Sequence, residues 1–431
     1  MSKTTDLFLI TAIIPALLLS SCGANKVTGA DKVSKASLPR IEDPQAPAAD
    51  LQQLVSGNTT FALDLYQKIR SSSGNLVYSP YSISLAFAMT YAGAGGETAS
   101  QMAKVLHYDL PQEQFHTAFN ALDLAIAGRP AQSANAASED QFQMTIANSL
   151  WGQQDWTFRP TYLDLLAANY GAGMHLVNFK NDTEASRQEI NNWISDQTHE
   201  RIKDLLPDGS IQPDAVLVLA NAIYFKATWQ QEFSANDTRP APFHLLDGGM
   251  VDVPIMRMSP DQMFPYASGD GWQAISMPYK GGLTEMFIIV PDQGTFTAFE
   301  SSLTAERYQA ILSALQSQPV NLSIPKFKFE LGLGLKDVLV PMGMQAAFTP
   351  NVADFSGIDG SKLLYLSAAF HKAFIAVDEK GTEAAAATGA VAVPGTAPRG
   401  AVIRIDRPFL FFIRDVPTGS LLFMGRVVDP R

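Results

Sequence analysis

Apolar and polar positions along this chain switch repeatedly between helical and strand periods. Asn58-Thr59-Thr60 suit a helix cap, and Phe61, Leu65 and Ile69 then recur at four-residue spacing, which predicts a helix. The run Asn75-Leu76-Val77-Tyr78-Ser79-Pro80-Tyr81-Ser82-Ile83-Ser84-Leu85-Ala86-Phe87-Ala88-Met89 is apolar almost throughout, so the helix it begins is expected to be central and buried. Asp109 to Gly128 reads as an amphipathic helix with Phe115, Phe119 and Leu122 on one face. Thr183 to Thr198 reads as another, with Ile190, Trp193 and Ile194 facing a core. Ala215 to Phe225 is a mostly continuous apolar run, the pattern of a strand covered on both faces.

A different texture begins at Val377-Asp378-Glu379-Lys380-Gly381. After Gly381 comes a run of small residues up to Pro394, with Glu383 as its one charge before Arg399. On a period of two, one set of side chains is Thr382, Ala384, Ala386, Thr388, Ala390 and Ala392. The other is Glu383, Ala385, Ala387, Gly389, Val391 and Val393. The first set holds nothing large and nothing ionised. It could enter the middle of a packed sheet without overlap and without burying a charge, whereas the set with Glu383 needs the more exposed side. Composition alone favours a plainer reading, an Ala-rich linker or short helix, because Ala is the best helix former.

The chain has 431 residues, 46% hydrophobic and 17% charged, enough for a large core. Its net charge of -11 argues against a general nucleic-acid or heparin-like binding surface. Lys3 precedes an apolar run from Leu7 to Leu19, too short for a comfortable membrane-spanning helix, and residues 1–22 read as a signal peptide. That segment ends in Leu19-Ser20-Ser21-Cys22, which looks like a bacterial lipoprotein processing box. Cys22 is the single cysteine, so an internal disulfide is impossible and lipid attachment there is the expectation; an ordinary secretory signal is the alternative. Residues 23–50 read as a flexible tether and 51–431 as one domain.

No Gly-x-Ser-x-Gly elbow, His-Glu-x-x-His motif or phosphate-binding Gly-x-x-x-x-Gly-Lys-Ser/Thr occurs. The six histidines (107, 116, 175, 199, 244 and 371) show no metal-ligand spacing, and no metal or cofactor is expected.

Flanking sequence overturns the linker reading of the Ala-rich stretch. His371-Lys372-Ala373-Phe374 followed by Val377-Asp378-Glu379-Lys380-Gly381-Thr382-Glu383-Ala384-Ala385 closely resembles the reactive-loop hinge signature of the serpins. Arg407-Pro408-Phe409-Leu410-Phe411-Phe412-Ile413-Arg414 and Leu422-Phe423-Met424-Gly425-Arg426-Val427 resemble that family's carboxy-terminal signature. Asn221-Ala222-Ile223-Tyr224-Phe225-Lys226-Ala227-Thr228-Trp229 is similar as well. Val253-Pro254-Ile255-Met256, Met286-Phe287-Ile288-Ile289-Val290-Pro291-Asp292 and Leu322-Ser323-Ile324-Pro325-Lys326-Phe327 fit strands in the family's order. The resemblance spans about Leu51 to Pro430.

The resemblance implies an α+β serpin fold: about three β-sheets, with a large central sheet, roughly eight to nine helices, and an exposed reactive loop at about 380–402. It implies a suicide inhibitor of proteases rather than an enzyme, a monomer whose partner is a protease held in a covalent acyl complex. In the hinge (Gly381, Thr382, Glu383, Ala384, Ala385, Ala386, Ala387) the small residues match inhibitory members. Ser79, Ser82, Asn221 and His371 match the "shutter" under the main sheet. Lys326 and Glu379, beside Trp229, match an ion pair at the top of the sheet, the "breach". The family's usual interval from Glu379 puts the scissile bond at Gly395-Thr396. Ala392 or Val393 would suit an elastase-like or subtilisin-like protease, the favoured targets, and Arg399 a trypsin-like one. Papain-like cysteine proteases and a non-inhibitory binding role are the alternatives. The helix at Asp109 to Gly128 lacks the basic stripe with which some members bind glycosaminoglycans. The processing box implies lipid anchoring to a bacterial membrane, at the cell surface or periplasmic face, with secretion as the alternative.

Overall fold

In the computed structural model, residues 32–132, 142–258, 262–382 and 400–431 are described. The apolar run at Ala215 to Phe225 becomes the strand Leu217–Thr228, near the middle of a seven-stranded sheet. Sheet order is Lys32–Ser34, Met174–Val177, Gln143–Gln153, Leu217–Thr228, Gly381–Thr382, Ala368–Val377 and Phe327–Gly334. Both faces of the sheet are covered, and alternation along one strand serves two cores. Leu219, Ile223, Phe225 and Ala227 join the large core, while Val218, Ala220 and Ala222 pack under the helix Thr183–Gln197 with Ile190 and Ile194.

The two central strands are parallel neighbours only over part of their length. Ala368 to Ala373 pair with Val218 to Ile223. Above that they diverge, and Gly381–Thr382 occupies the gap, antiparallel to both: Thr382 lies opposite Ala227 on one side and Val377 on the other.

Beneath this sheet lies a ten-stranded one. It runs Leu76–Tyr78, Leu421–Val427, Phe409–Asp415, Thr284–Pro291, Trp272–Pro278, Met263–Gly269, Gln316–Pro325, Met250–Arg257 and Arg239–His244, with Ala401–Arg404 alongside Gln316–Pro325. Gln316–Pro325 is long enough to pair at its start with Met263–Gly269 and at its end with Met250–Arg257. Two of the three expected sheets are therefore joined through one strand. Eleven α-helices surround the sheets among the described residues, two of them single four-residue turns.

The structure corrects the amino-terminal reading at two points. The first long helix runs Ala48–Ile69, so Asn58 is not its cap but a buried mid-helix residue whose amide donates to the Leu421 carbonyl at 3.5 Å. Residues 32–50 are not a free tether. Lys32–Ser34 adds a strand to the edge at Met174–Val177, and the Ile41 amide donates to the Ala168 carbonyl. Arg40 bonds Asn120 at 2.8 Å and Asp123 at 2.6 Å. A polar composition concealed this docking because its anchor is one arginine meeting a carboxylate far along the chain.

Candidate functional site

At the top of the sheet the His371 strand (Ala368–Val377) ends in a tight reversal. The Asp378 carboxylate accepts from the Lys380 and Gly381 amides at 2.9 and 3.2 Å, and the Asp378 amide donates to the Gly381 carbonyl at 2.9 Å. Burial pushes the Asp378 carboxyl up, with those two amides pulling against it. The reversal is pinned from outside by Trp229, whose indole donates to the Asp378 carbonyl at 3.0 Å and whose backbone amide donates to the Lys380 carbonyl at 2.7 Å. Glu379 accepts from Lys326 Nζ at 2.7 Å and from the Thr238 hydroxyl at 2.8 Å. Partial burial of Glu379 works to raise its pKa, but these two donors and its own backbone amide outweigh burial and hold it below the usual value.

This reversal aims the chain back into the sheet. Gly381 is required where it stands, because a Cβ there would lie 2.0 Å from the Ala227 carbonyl oxygen. Thr382 follows, 1% exposed, with Oγ1 2.7 Å from the Tyr279 hydroxyl. The expectation that everything after Gly381 is exposed fails at Thr382, which is already seated, because a small uncharged side chain fits the gap between the diverging strands. It faces the large core, so the parity read from the sequence begins on that side. Glu383, Ala384, Ala385, Ala386, Ala387, Ala392, Val393, Gly395, Thr396 and Arg399 lie outside the described residues, as does Cys22.

Halfway down the sheet, three strands meet in one polar row. Asn148 is in register with Asn221, and Asn221 with His371. Ser79 caps the helix Pro80–Tyr91 by accepting from the Ser82 amide at 3.0 Å, with Pro80 supplying the first helical residue. Its own amide donates to His371 Nε2 at 3.1 Å. That leaves Nδ1 to carry the imidazole proton, and it donates to Asn221 Oδ1. Asn221 Nδ2 then donates to Asn148 Oδ1, to Ser82 Oγ and to the Ser82 carbonyl, the last at 3.1 Å. Ser79, Ser82, Asn221 and His371 thus form one network. Asn148 belongs to it too, although the sequence reading did not single it out.

His371 is fully buried, and desolvation lowers its pKa to about 3. Protonation at Nε2 would also set an N–H against the Ser79 N–H. This cluster holds no nucleophile poised beside a base. Its arrangement can tie two strands and a helix cap together, and release them when the row is broken. No group of three or more His, Cys, Asp or Glu side chains able to hold a metal occurs among the described residues.

Comparison with known proteins agrees with this architecture. The family model for serpins, described as serine protease inhibitors, matches residues 56–430. Leukocyte elastase inhibitor A of Mus musculus is 38% identical, covering 88% of this chain and all of the relative. An uncharacterised serpin-like protein of Thermococcus kodakarensis is 36% identical over 94% of this chain and 93% of its own. Among solved structures, the native state of the thermophilic serpin tengpin superposes with a TM-score of 0.78 at 27% identity, covering 92% of this chain and 97% of that one. Human thyroxine-binding globulin complexed with thyroxine matches with a TM-score of 0.76 at 28% identity, over 88% of this chain and 99% of its own. With the central strands parting around a hinge and a polar row holding them below, matched over nearly the whole domain by such relatives, the chain belongs to the serpin family.

Proposed function

We propose that this chain is a suicide inhibitor of endoproteases, most readily serine proteases of elastase-like or subtilisin-like specificity, and that it works by drawing its cleaved loop into the seven-stranded sheet. A single observation carries the reading: Thr382 sits at the head of the gap, in register with both strands that would flank an inserted loop. Continuing that register sets Ala384, Ala386, Ala390 and Ala392 toward the large core and sets Thr388 between Asn221 and His371. Ala385, Ala387, Gly389, Val391 and Val393 turn toward Val218, Ala220 and Ala222 under the Thr183–Gln197 helix. No large or charged side chain beyond Glu383 is asked to enter.

The protease's nucleophile attacks the scissile carbonyl, proposed at Gly395-Thr396. An ester forms, the amide bond breaks, and the new amino terminus departs with the proton from the protease's general acid. Cleavage frees the loop from its distal anchor at Ala401–Arg404. Insertion then adds a strand of about a dozen residues whose hydrogen bonds contribute roughly 0.5–1.5 kcal/mol each, on the order of 10 kcal/mol together. Release of stored strain on this scale can distort the attached protease before water hydrolyses the ester. Support comes also from inhibitors among the relatives, the leukocyte elastase inhibitors and antithrombin-III.

The processing box motivates a second part of the proposal, lipid attachment at Cys22 to a bacterial membrane, at the cell surface or periplasmic face. With residues from 32 onward docked, the tether reduces to residues 23–31, about 30 Å at full extension.

The test is incubation with a panel of serine and cysteine proteases. A denaturant-resistant complex is expected for at least one, with the released fragment weighed to locate the bond. Loop-nicked protein should also melt far above the intact protein. Cleavage by every active protease with no complex and no gain in melting temperature would refute the inhibitor reading.

A further inference from the structure

Tyr279 follows the strand Trp272–Pro278 and is fully buried. Its ring stacks on Trp229, centroids 4.5 Å apart and planes 10° apart, and meets Phe225 edge-on at 5.2 Å. Its backbone is fixed on both sides to the strand that Thr382 joins. The Gln230 amide donates to the Pro278 carbonyl at 2.9 Å, and the Lys280 amide donates to the Thr228 carbonyl at 2.8 Å. A ring clamped in this way cannot swing aside, so its hydroxyl is a fixed point in the core. Burial also pushes the phenol far above its ordinary pKa, which keeps the O–H in place at any working pH.

Against that fixed point stands the residue that enters the gap. Asp378 ties Gly381 into the reversal through its amide and carbonyl, and the ion pair and indole hold the residues before it, so none of these contacts reaches the Thr382 side chain. Inside the gap the Thr382 hydroxyl is 2.7 Å from the Tyr279 hydroxyl. Losing either hydroxyl leaves the other buried with a bond unmade, whereas replacing both with apolar groups of the same shape is nearly neutral.

We propose that Tyr279 is a positioning residue for the reactive-loop hinge: its hydroxyl seats Thr382 in the sheet before cleavage and so fixes the register from which insertion proceeds. The link to insertion rests on the inhibitor reading; the seating itself does not. A seated hinge starts insertion with its first pairs made, which favours trapping over release of the cleaved inhibitor.

Amide hydrogen exchange on the intact, uncleaved full chain tests this without any protease, read by mass spectrometry on peptides covering 377–382. Tyr279→Phe and Thr382→Val are each expected to speed exchange there by about five- to tenfold, the effect of a buried polar group losing its partner. The combined variant should return to within about threefold of wild type, and Thr382→Ser, which keeps the hydroxyl, should match wild type. A packing role for either side chain would instead make the double variant at least as fast as the faster single one. In parallel, the number of inhibitor molecules cleaved per protease trapped should rise in each single variant and fall back in the double. Unchanged exchange in Tyr279→Phe, or no recovery in the double variant, overturns the proposal. If wild type traps no protease, the inhibitor reading fails while the exchange pattern still decides the seating.

Discussion

Acidification should loosen this protein through His371 above the range where ordinary carboxylates titrate, and the size of the effect follows from the burial of its ring in the polar row. In the folded state the imidazole is neutral with a pKa of about 3, against an ordinary value of about 6.5. Any state that hydrates the ring binds a proton more readily, so stability is fully present above pH 6.5 and is lost as pH falls from there toward 3. At pH 5 the linkage amounts to about 2 kcal/mol relative to pH 7. His116 is also buried, is lowered to about 3 by desolvation, and should contribute a similar amount. Burial is not the whole cause at His371, since an added Nε2 proton would also displace the Ser79 amide from its acceptor. The assay is urea unfolding of the intact protein between pH 7 and pH 5, a window above the range where ordinary carboxylates titrate. Alongside it, His371→Gln keeps a donor and an acceptor but cannot titrate. Wild type should lose about 4 kcal/mol over the window and the variant about 2. A variant with the wild-type pH slope would refute the assignment of this loss to His371.

Three further outcomes test neighbouring parts of the argument. Thr382→Arg forces a guanidinium toward a seat that is 1% exposed, so the variant should be cleaved at the wild-type rate without trapping its protease; a denaturant-resistant band of wild-type intensity would contradict this. Asn148→Ala takes away one of three acceptors around Asn221 Nδ2, and because Ser82 Oγ and the Ser82 carbonyl remain, it is expected to cost only about 0.5–1.5 kcal/mol in denaturant unfolding, the net worth of one hydrogen bond. Lys326→Ala should cost less, about 1 kcal/mol or below, because the lysine end of its ion pair is open to solvent; the cost should shrink in high salt, and a cost that ignores salt would point to packing instead.

What could be read from the sequence was local or periodic. The mostly continuous apolar run at Ala215 to Phe225 marked a strand covered twice, and two cores meet it. The parity read after Gly381 made Thr382 an inward-facing position, and Thr382 is buried; the rest of that set lies outside the described residues. Missing were features whose meaning lies across the chain. Asn148 interrupts the apolar set Met144, Ile146 and Leu150 on its face of the strand, with no visible reason until Asn221, 73 residues later, is set beside it. Tyr279 stands in Met277-Pro278-Tyr279-Lys280-Gly281-Gly282, which has the composition of a turn, and only the stack on Trp229 makes it a fixed point. Asn58-Thr59-Thr60 carried real capping chemistry, but the helix had begun ten residues earlier, just after Pro47, and packing overrode the local preference. Residues 32–50 looked unstructured because edge pairing and one half-buried arginine leave no periodic trace.

On the proposed insertion mechanism, the placement of the polar row would let the chain be both trapped and ready. Gly381–Thr382 occupies the head of the gap, and by register position 386 is the first that falls opposite both Ala373 and Ile223, so insertion from there on must displace the direct pairing of Ala368 to Ala373 with Val218 to Ile223. Each parallel bond broken there would be replaced by bonds on both sides of an inserted strand, so the exchange is downhill once under way. The obstacle is that Asn221 and His371 lie within this paired segment and are bound to each other and to the cap of a buried helix. Opening by one residue-pair at the top costs little, while opening at the row exposes several buried donors and acceptors together. A threonine arriving there, at position 388 by register, could replace the lost partners with its own hydroxyl, as an alanine could not. On the same mechanism, the barrier would sit where the incoming strand brings its one polar side chain after Glu383, and that pairing would account for a state that persists while the loop is tethered and yields once it is cut.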